Sequence, residues 1–189
     1  MKTSISAALF AALIVVSCFI AIPAGALGIP IVLQNMMVIL SGLLLGGARG
    51  AVAVGLFIVL GALGLPIFSG GRGGLAVLLS PTGGFIAGYF FGALAAGLIA
   101  GKPTVSKKSF QYTRIALAAI IGFALIYCFG TVRIMHLIMQ KQNMSIAAAF
   151  ERALPMAVIP FIIGDLIKLI VLIPLAVKLR PISARYINK

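Results

Sequence analysis

The chain has 189 residues, 62% of them hydrophobic, with 15 Lys or Arg against two Asp or Glu and a net charge of +13. A soluble domain devotes about a quarter of its residues to charge, so water is excluded as the solvent of most of this surface. The cations lie between apolar runs and at the C-terminus rather than in one basic patch, which argues against a nucleic-acid binder and for topology signals beside lipid headgroups.

Uncharged runs cover residues 3–48, 50–71, 73–101 and 115–132. Each approaches or exceeds the roughly 20 residues of a bilayer crossing, and a single membrane domain over residues 1–189 is expected. Lys2, the apolar stretch Ala7–Ile22 and Ala24-Gly25-Ala26 imitate a secretory signal. Because the rest of the chain is itself membrane-spanning, residues 4–22 are read as a retained first helix. Pro23, Gly25, Gly28 and Pro30 end it, and a second helix follows at 31–47. A turn at 46–50 leads to a third helix at 50–65, stopped by Pro66.

Residues 66–82 are rich in glycine and include a central apolar stretch, Leu75–Leu79, too short to span. Irregular backbone of this kind is tolerated at membrane depth only against protein or a wet cavity. The segment is therefore expected to fold back over the protein as a lid. A fourth helix is expected at 83–101 and a fifth at 114–135, joined by a basic loop holding Lys102, Lys107, Lys108 and Arg114. A short helix from Ser145 to Arg152 and a proline-containing sixth helix from Leu154 complete an all-α, six-span integral membrane fold. With the N-terminus inside, Lys2, Arg49, Lys102, Lys107, Lys108, Arg114, Lys178, Arg180, Arg185 and Lys189 are cytoplasmic. Arg72, Arg133, Lys141 and Arg152 are then outside. This asymmetry predicts two cytoplasmic termini and an extracellular glycine-rich loop between helices 3 and 4.

Small residues predict close packing. Gly84, Gly88, Gly92 and Ala96 repeat every fourth position, and Ala8 and Ala12 share that spacing on helix 1. The first set is expected to pack within the chain. The second serves either that purpose or contact with another subunit.

Asp165 and Lys168 stand out in an apolar stretch, and their i, i+3 spacing puts them on one helical face. Isolated charges in a membrane are costly, so such a pair faces a bundle interior or cavity, as a ligand site or as a structural ion pair. Gln34 and Asn35 either bind a ligand or bridge helices. Thr82 and Tyr89 begin helix 4, with Ser69, Arg72 and Ser80 in the loop before it; Arg72 is either a ligand contact or a solvated charge. One histidine and two carboxylates supply neither a usual metal set nor the base-and-orienter pair most hydrolases need. Two cysteines without a CxxC spacing read as buried thiols. Around Lys102, Ala96 and Pro103 replace the glycine and hydroxyl of a Walker A loop, so no ATP site is expected in this chain.

Gly28–Asn35, Ser41–Gly46 with Arg49-Gly50, Gly61–Phe68, the glycines at 70–74, Ser80–Phe85 with Gly88-Tyr89, and Pro160–Lys168 together resemble the BioY family of biotin transporter substrate-binding proteins. The ordered blocks span residues 28–168; Ser80 stands where the family pattern has glycine, and 131–152 are less similar. The resemblance implies an S component of an energy-coupling factor (ECF) transporter in a bacterial plasma membrane, binding biotin with high affinity and performing no chemistry. It implies that Asp165 and Lys168 bind the vitamin; Gln34, Asn35, Arg72, Thr82 and Tyr89, singled out above from their own chemistry, are then expected at the same site. It also implies that Ala8 and Ala12 contact a transmembrane coupling subunit. ATP would be used only by two ATP-binding-cassette partner subunits, and the chain would need no cofactor. An S component for a different vitamin, or a small non-transport membrane protein, are the competing readings.

Overall fold

The computed structural model describes residues 2–22, 31–104 and 110–187. In chain order the elements are α1 (Lys2–Ser17), β1 (Ala21–Ile22), β2 (Ile31–Val32), α2 (Gln34–Leu45), α3 (Gly47–Ala62), α4 (Leu75–Leu79), α5 (Thr82–Ala100), α6 (Phe110–Gln142) and α7 (Ile146–Ile187). The helix expected at 4–22 ends at Ser17, whose hydroxyl turns back and donates to the Ile14 carbonyl at 2.7 Å. Ile22 precedes a proline, which disfavours helical backbone, and residues 21–22 instead pair antiparallel with 31–32. Residues 23–30, the expected break between the first two helices, lie outside the described residues, as do Lys107, Lys108 and Lys189.

The second half of the chain is more continuous than its sequence suggests. Helix α6 runs for 33 residues to Gln142, past the expected end at 135. The short helix expected at 145–152 and the sixth helix are one element, α7, 42 residues long with Pro155, Pro160, Pro174 and Pro181 inside it. Each proline removes one N–H donor, but ending a helix in an apolar medium would free several polar groups where no water can reach them.

Among the described residues, three helices can cross a membrane by length and composition, Thr82–Ala100, Gln111–Gln142 and Ile146–Tyr186, while the apolar helices at 4–17, 34–45 and 47–62 are shorter. The 12 residues of α2 reach about 18 Å at 1.5 Å per residue, well under a hydrocarbon core of about 30 Å. Every residue of α2 except Met37 is buried. Neighbouring protein rather than lipid surrounds it, so its length need not match the bilayer.

The small-residue ribbon on α5 meets α6. A methyl group added at Gly88 would lie 2.8 Å from the Ile126 Cα, and one at Gly92 would lie 2.8 Å from the Gly122 carbonyl. At the opposite edge of the bundle, buried Arg180 donates to the carbonyls of Leu43 at 2.6 Å, Ala100 at 2.9 Å and Gly101 at 3.0 Å. These carbonyls are the unsatisfied ends of α2 and α5, and a cation there also opposes the negative end of each helix dipole. Ser183 adds a bond to the Leu44 carbonyl at 2.6 Å.

The 66–82 segment is an anchored cap. Phe68 is fully buried and meets Phe57 edge-on, with ring centroids 5.4 Å apart. Its backbone bridges Arg72 in both directions, at 2.8 and 3.2 Å. The turn between them uses Gly70 and Gly71 at φ +77° and +68°, a region that side chains disfavour. Arg133 of α6 donates to the Leu79 carbonyl, which holds the far end of α4.

Candidate ligand site beneath the glycine-rich cap

Asp165 and Lys168, one helical turn apart on α7, form an ion pair at 2.6 Å with side chains 7% and 11% exposed. Asn35 opens α2 directly opposite. Its amide nitrogen is 3.0 Å from each oxygen of Asp165, and its own oxygen accepts from Lys168 at 3.0 Å. Lys168 also donates to the carbonyl of Val32, the last residue of β2, at 2.7 Å. Tyr127 on α6 donates to Asp165 Oδ2 at 2.6 Å. The pair thus ties α7 to α6 and to the β2–α2 junction, and every charge in it has a hydrogen-bonded counterpart, the condition under which a buried pair is tolerated.

This cluster forms the polar side of a narrow cavity of about 30 Å³, room for little more than a water molecule or two. Val32, Phe85, Ile126 and Phe161 supply apolar walls, with Tyr89 buried among them. Phe85 and Phe161 face one another with ring centroids 6.0 Å apart. Ser69 and Thr82 close the rim on the side of the cap.

Of the residues singled out in the sequence, Asp165, Lys168, Asn35, Thr82 and Tyr89 line this one cavity. Gln34 and Arg72 do not line it. Gln34 is fully buried behind it, donating to the carbonyls of Ile14 at 3.2 Å and Ile67 at 3.1 Å and accepting from Ser69 at 3.2 Å. Arg72 is an exposed side chain folded onto the Ser69 carbonyl at 3.1 Å and the Thr82 hydroxyl at 3.4 Å. Tyr127 escaped the sequence reading. A phenol inside an otherwise uncharged apolar run is the signal that could have found it, because a buried hydroxyl needs a partner. Phe85, Ile126 and Phe161 carry no such signal among so many apolar neighbours.

The BioY family model matches residues 1–185 of this chain. The chain belongs to the BioY family. The biotin transporter BioY of Thermotoga maritima is 36% identical over 183 residues, covering 97% of this chain and 98% of that one. The biotin transporter BioY of Rhodobacter capsulatus is 39% identical over 176 residues, covering 86% and 85%. Among solved structures, the S-component for biotin from an ECF-type ABC transporter superposes with a TM-score of 0.76 at 29% identity, covering 95% of this chain and 90% of that one. This BioY-family chain therefore shares the S-component fold, and its helices are those of a multi-pass membrane protein.

Proposed function

We infer that this chain captures biotin and serves its uptake as the S component of an ECF-type transporter, performing no chemistry itself. The observation that carries the reading is the buried Asn35–Asp165–Lys168–Tyr127 cluster facing an aromatic-walled cavity in a BioY-family chain. Biotin offers two ureido N–H donors, a carbonyl acceptor, an apolar thioether face and a carboxylate tail. Asp165 suits the N–H donors and Lys168 a ligand oxygen, through charge-assisted hydrogen bonds. Phe85, Tyr89, Ile126 and Phe161 suit the apolar face. Thr82 stands at the rim, while Gln34 and Arg72 support the site by holding the cap.

Six membrane passes, cytoplasmic termini and an outward-facing cap belong to this reading, supported by the ten cations on the proposed inner side against four on the outer. The three shorter helices at 4–17, 34–45 and 47–62 are then spans sheltered by, or tilted against, their longer neighbours. The membrane is a bacterial plasma membrane. Ala8 and Ala12 are exposed along α1, whereas Ala7 and Ala11 are buried. That leaves the first pair free to receive a helix of the transmembrane coupling subunit, with two ATP-binding-cassette subunits supplying the energy and no cofactor in this chain.

Titration calorimetry of the detergent-purified protein with biotin, dethiobiotin and lipoate tests the reading. Saturable heat with biotin, less with dethiobiotin and none with lipoate is expected. No heat with biotin would overturn it, and tighter binding of another vitamin would reassign the substrate.

A further inference from the structure

Protein groups alone satisfy the polar cluster. A carboxylate offers about four lone-pair positions, and Asp165 has four contacts: Asn35 on both oxygens, Lys168 on Oδ1 and Tyr127 on Oδ2. Lys168 is equally committed, since its ammonium faces Asp165, Val32 and Asn35. An N–H donor entering the cavity therefore reaches Asp165 only by replacing a donor already present.

The three resident donors are not equally held. Lys168 bonds at three points, and its departure would leave a buried carboxylate without its counter-charge. Asn35 is fixed at its oxygen by Lys168 and by the Met36 backbone N–H at 2.9 Å, and at its nitrogen by both Asp165 oxygens. Tyr127 is half-buried, lines the cavity and meets the cluster through one bond, its hydroxyl to Oδ2. It is neutral, so moving it separates no charges.

Resting on the reading of the site as a biotin site, we propose that Tyr127 is a specificity-determining residue whose hydroxyl occupies the ligand's place on Asp165 and yields to a ureido N–H. The tyrosine keeps the carboxylate satisfied when no ligand is present. It also sets a threshold, because a ligand must bring a donor good enough to replace a phenol. Molecules of similar shape without an N–H at that position leave Tyr127 in place and are rejected.

Two measurements test this together. In Tyr127→Phe the competitor is gone, so biotin is expected to bind at least about threefold tighter than to the wild type, a modest share of a charge-assisted hydrogen bond. A biotin methylated on the ureido nitrogens should gain nothing. The chain has four tyrosines and no tryptophan, so its near-ultraviolet band reports tyrosine. Tyr112 and Tyr186 are exposed, and Tyr89 makes no hydrogen bond to Asp165. Loss of the bond from Tyr127 to a charged acceptor should therefore shift that band to shorter wavelength when biotin is added to the wild type. The shift should persist in Tyr89→Phe and vanish in Tyr127→Phe. Equal or weaker biotin binding by folded Tyr127→Phe, or no blue shift in the wild type, would overturn the proposal; the spectrum decides alone if that variant does not fold. Absence of biotin binding by the wild type would instead defeat the biotin reading itself.

Discussion

Asp165 and Lys168 are each worth little without the other. Replacing Lys168 by Met leaves Asp165 held by two neutral donors, Asn35 and Tyr127, in a site with almost no solvent contact. Truncating one member of a buried, hydrogen-bonded charge pair costs about 2–5 kcal/mol. Lys168→Met should therefore weaken biotin binding by at least about thirtyfold and lower the thermal unfolding midpoint in detergent. An unchanged midpoint with unchanged affinity would make the ion pair incidental. The pair was legible in the sequence because two charges in an apolar run need a reason. Asn35 was legible as a polar residue at a helix start, although its role as the bridge between both charges was not. That role depends on α2 and α7 meeting across 130 residues of sequence. Arg180 shows the opposite case. Read along the chain it is one more inside cation, yet its buried guanidinium caps the ends of α2 and α5. Nothing local to the sequence announces a carbonyl acceptor that another helix supplies.

Three elements converge on Gln34: the end of α1 through Ile14, the start of α2, and the cap through Ile67 and Ser69. Gln34→Leu removes three buried hydrogen bonds at once and strands their partners. Leaving buried polar groups unsatisfied costs about 1–3 kcal/mol each. Limited proteolysis should then cut the 66–82 segment faster than in the wild type, and biotin should dissociate faster. Equal proteolysis would mean that Phe68 alone holds the cap. Arg180→Leu acts at the other end of the bundle. It should lower the unfolding midpoint through loss of at least about 2 kcal/mol while leaving biotin affinity within about twofold of wild type. Loss of affinity at an unchanged midpoint would contradict the separation of the two ends. The bounds of the elements were only partly legible. Uncharged runs and their Pro and Gly breaks located apolar helices, but they could not show that four prolines lie within one continuous α7, nor that α1 stops at Ser17 so that 21–22 can pair with 31–32. Both outcomes are set by what surrounds the backbone rather than by the residues at the break.

At the scale of the whole molecule, membrane embedding was legible from composition alone, whereas the distribution of lengths was not. The bundle encloses a short α2 and surrounds it with longer helices, so the number of apolar runs and the number of helices long enough to cross differ. The exposed Ala8 and Ala12 face makes a prediction at this scale. Replacing both with leucine should leave biotin binding unchanged and abolish uptake that depends on the coupling subunit. A loss of binding would mean that this face packs against the chain's own helices after all. We propose that the vitamin is held at the α2–α7 charge cluster beneath the cap. Asp165→Asn tests it most directly, since the substitution keeps the shape of the side chain and removes the charge proposed to accept the ureido donors. By titration calorimetry below the unfolding transition of both proteins, biotin should bind the variant at least about thirtyfold more weakly than the wild type; equal affinity would place the ligand elsewhere.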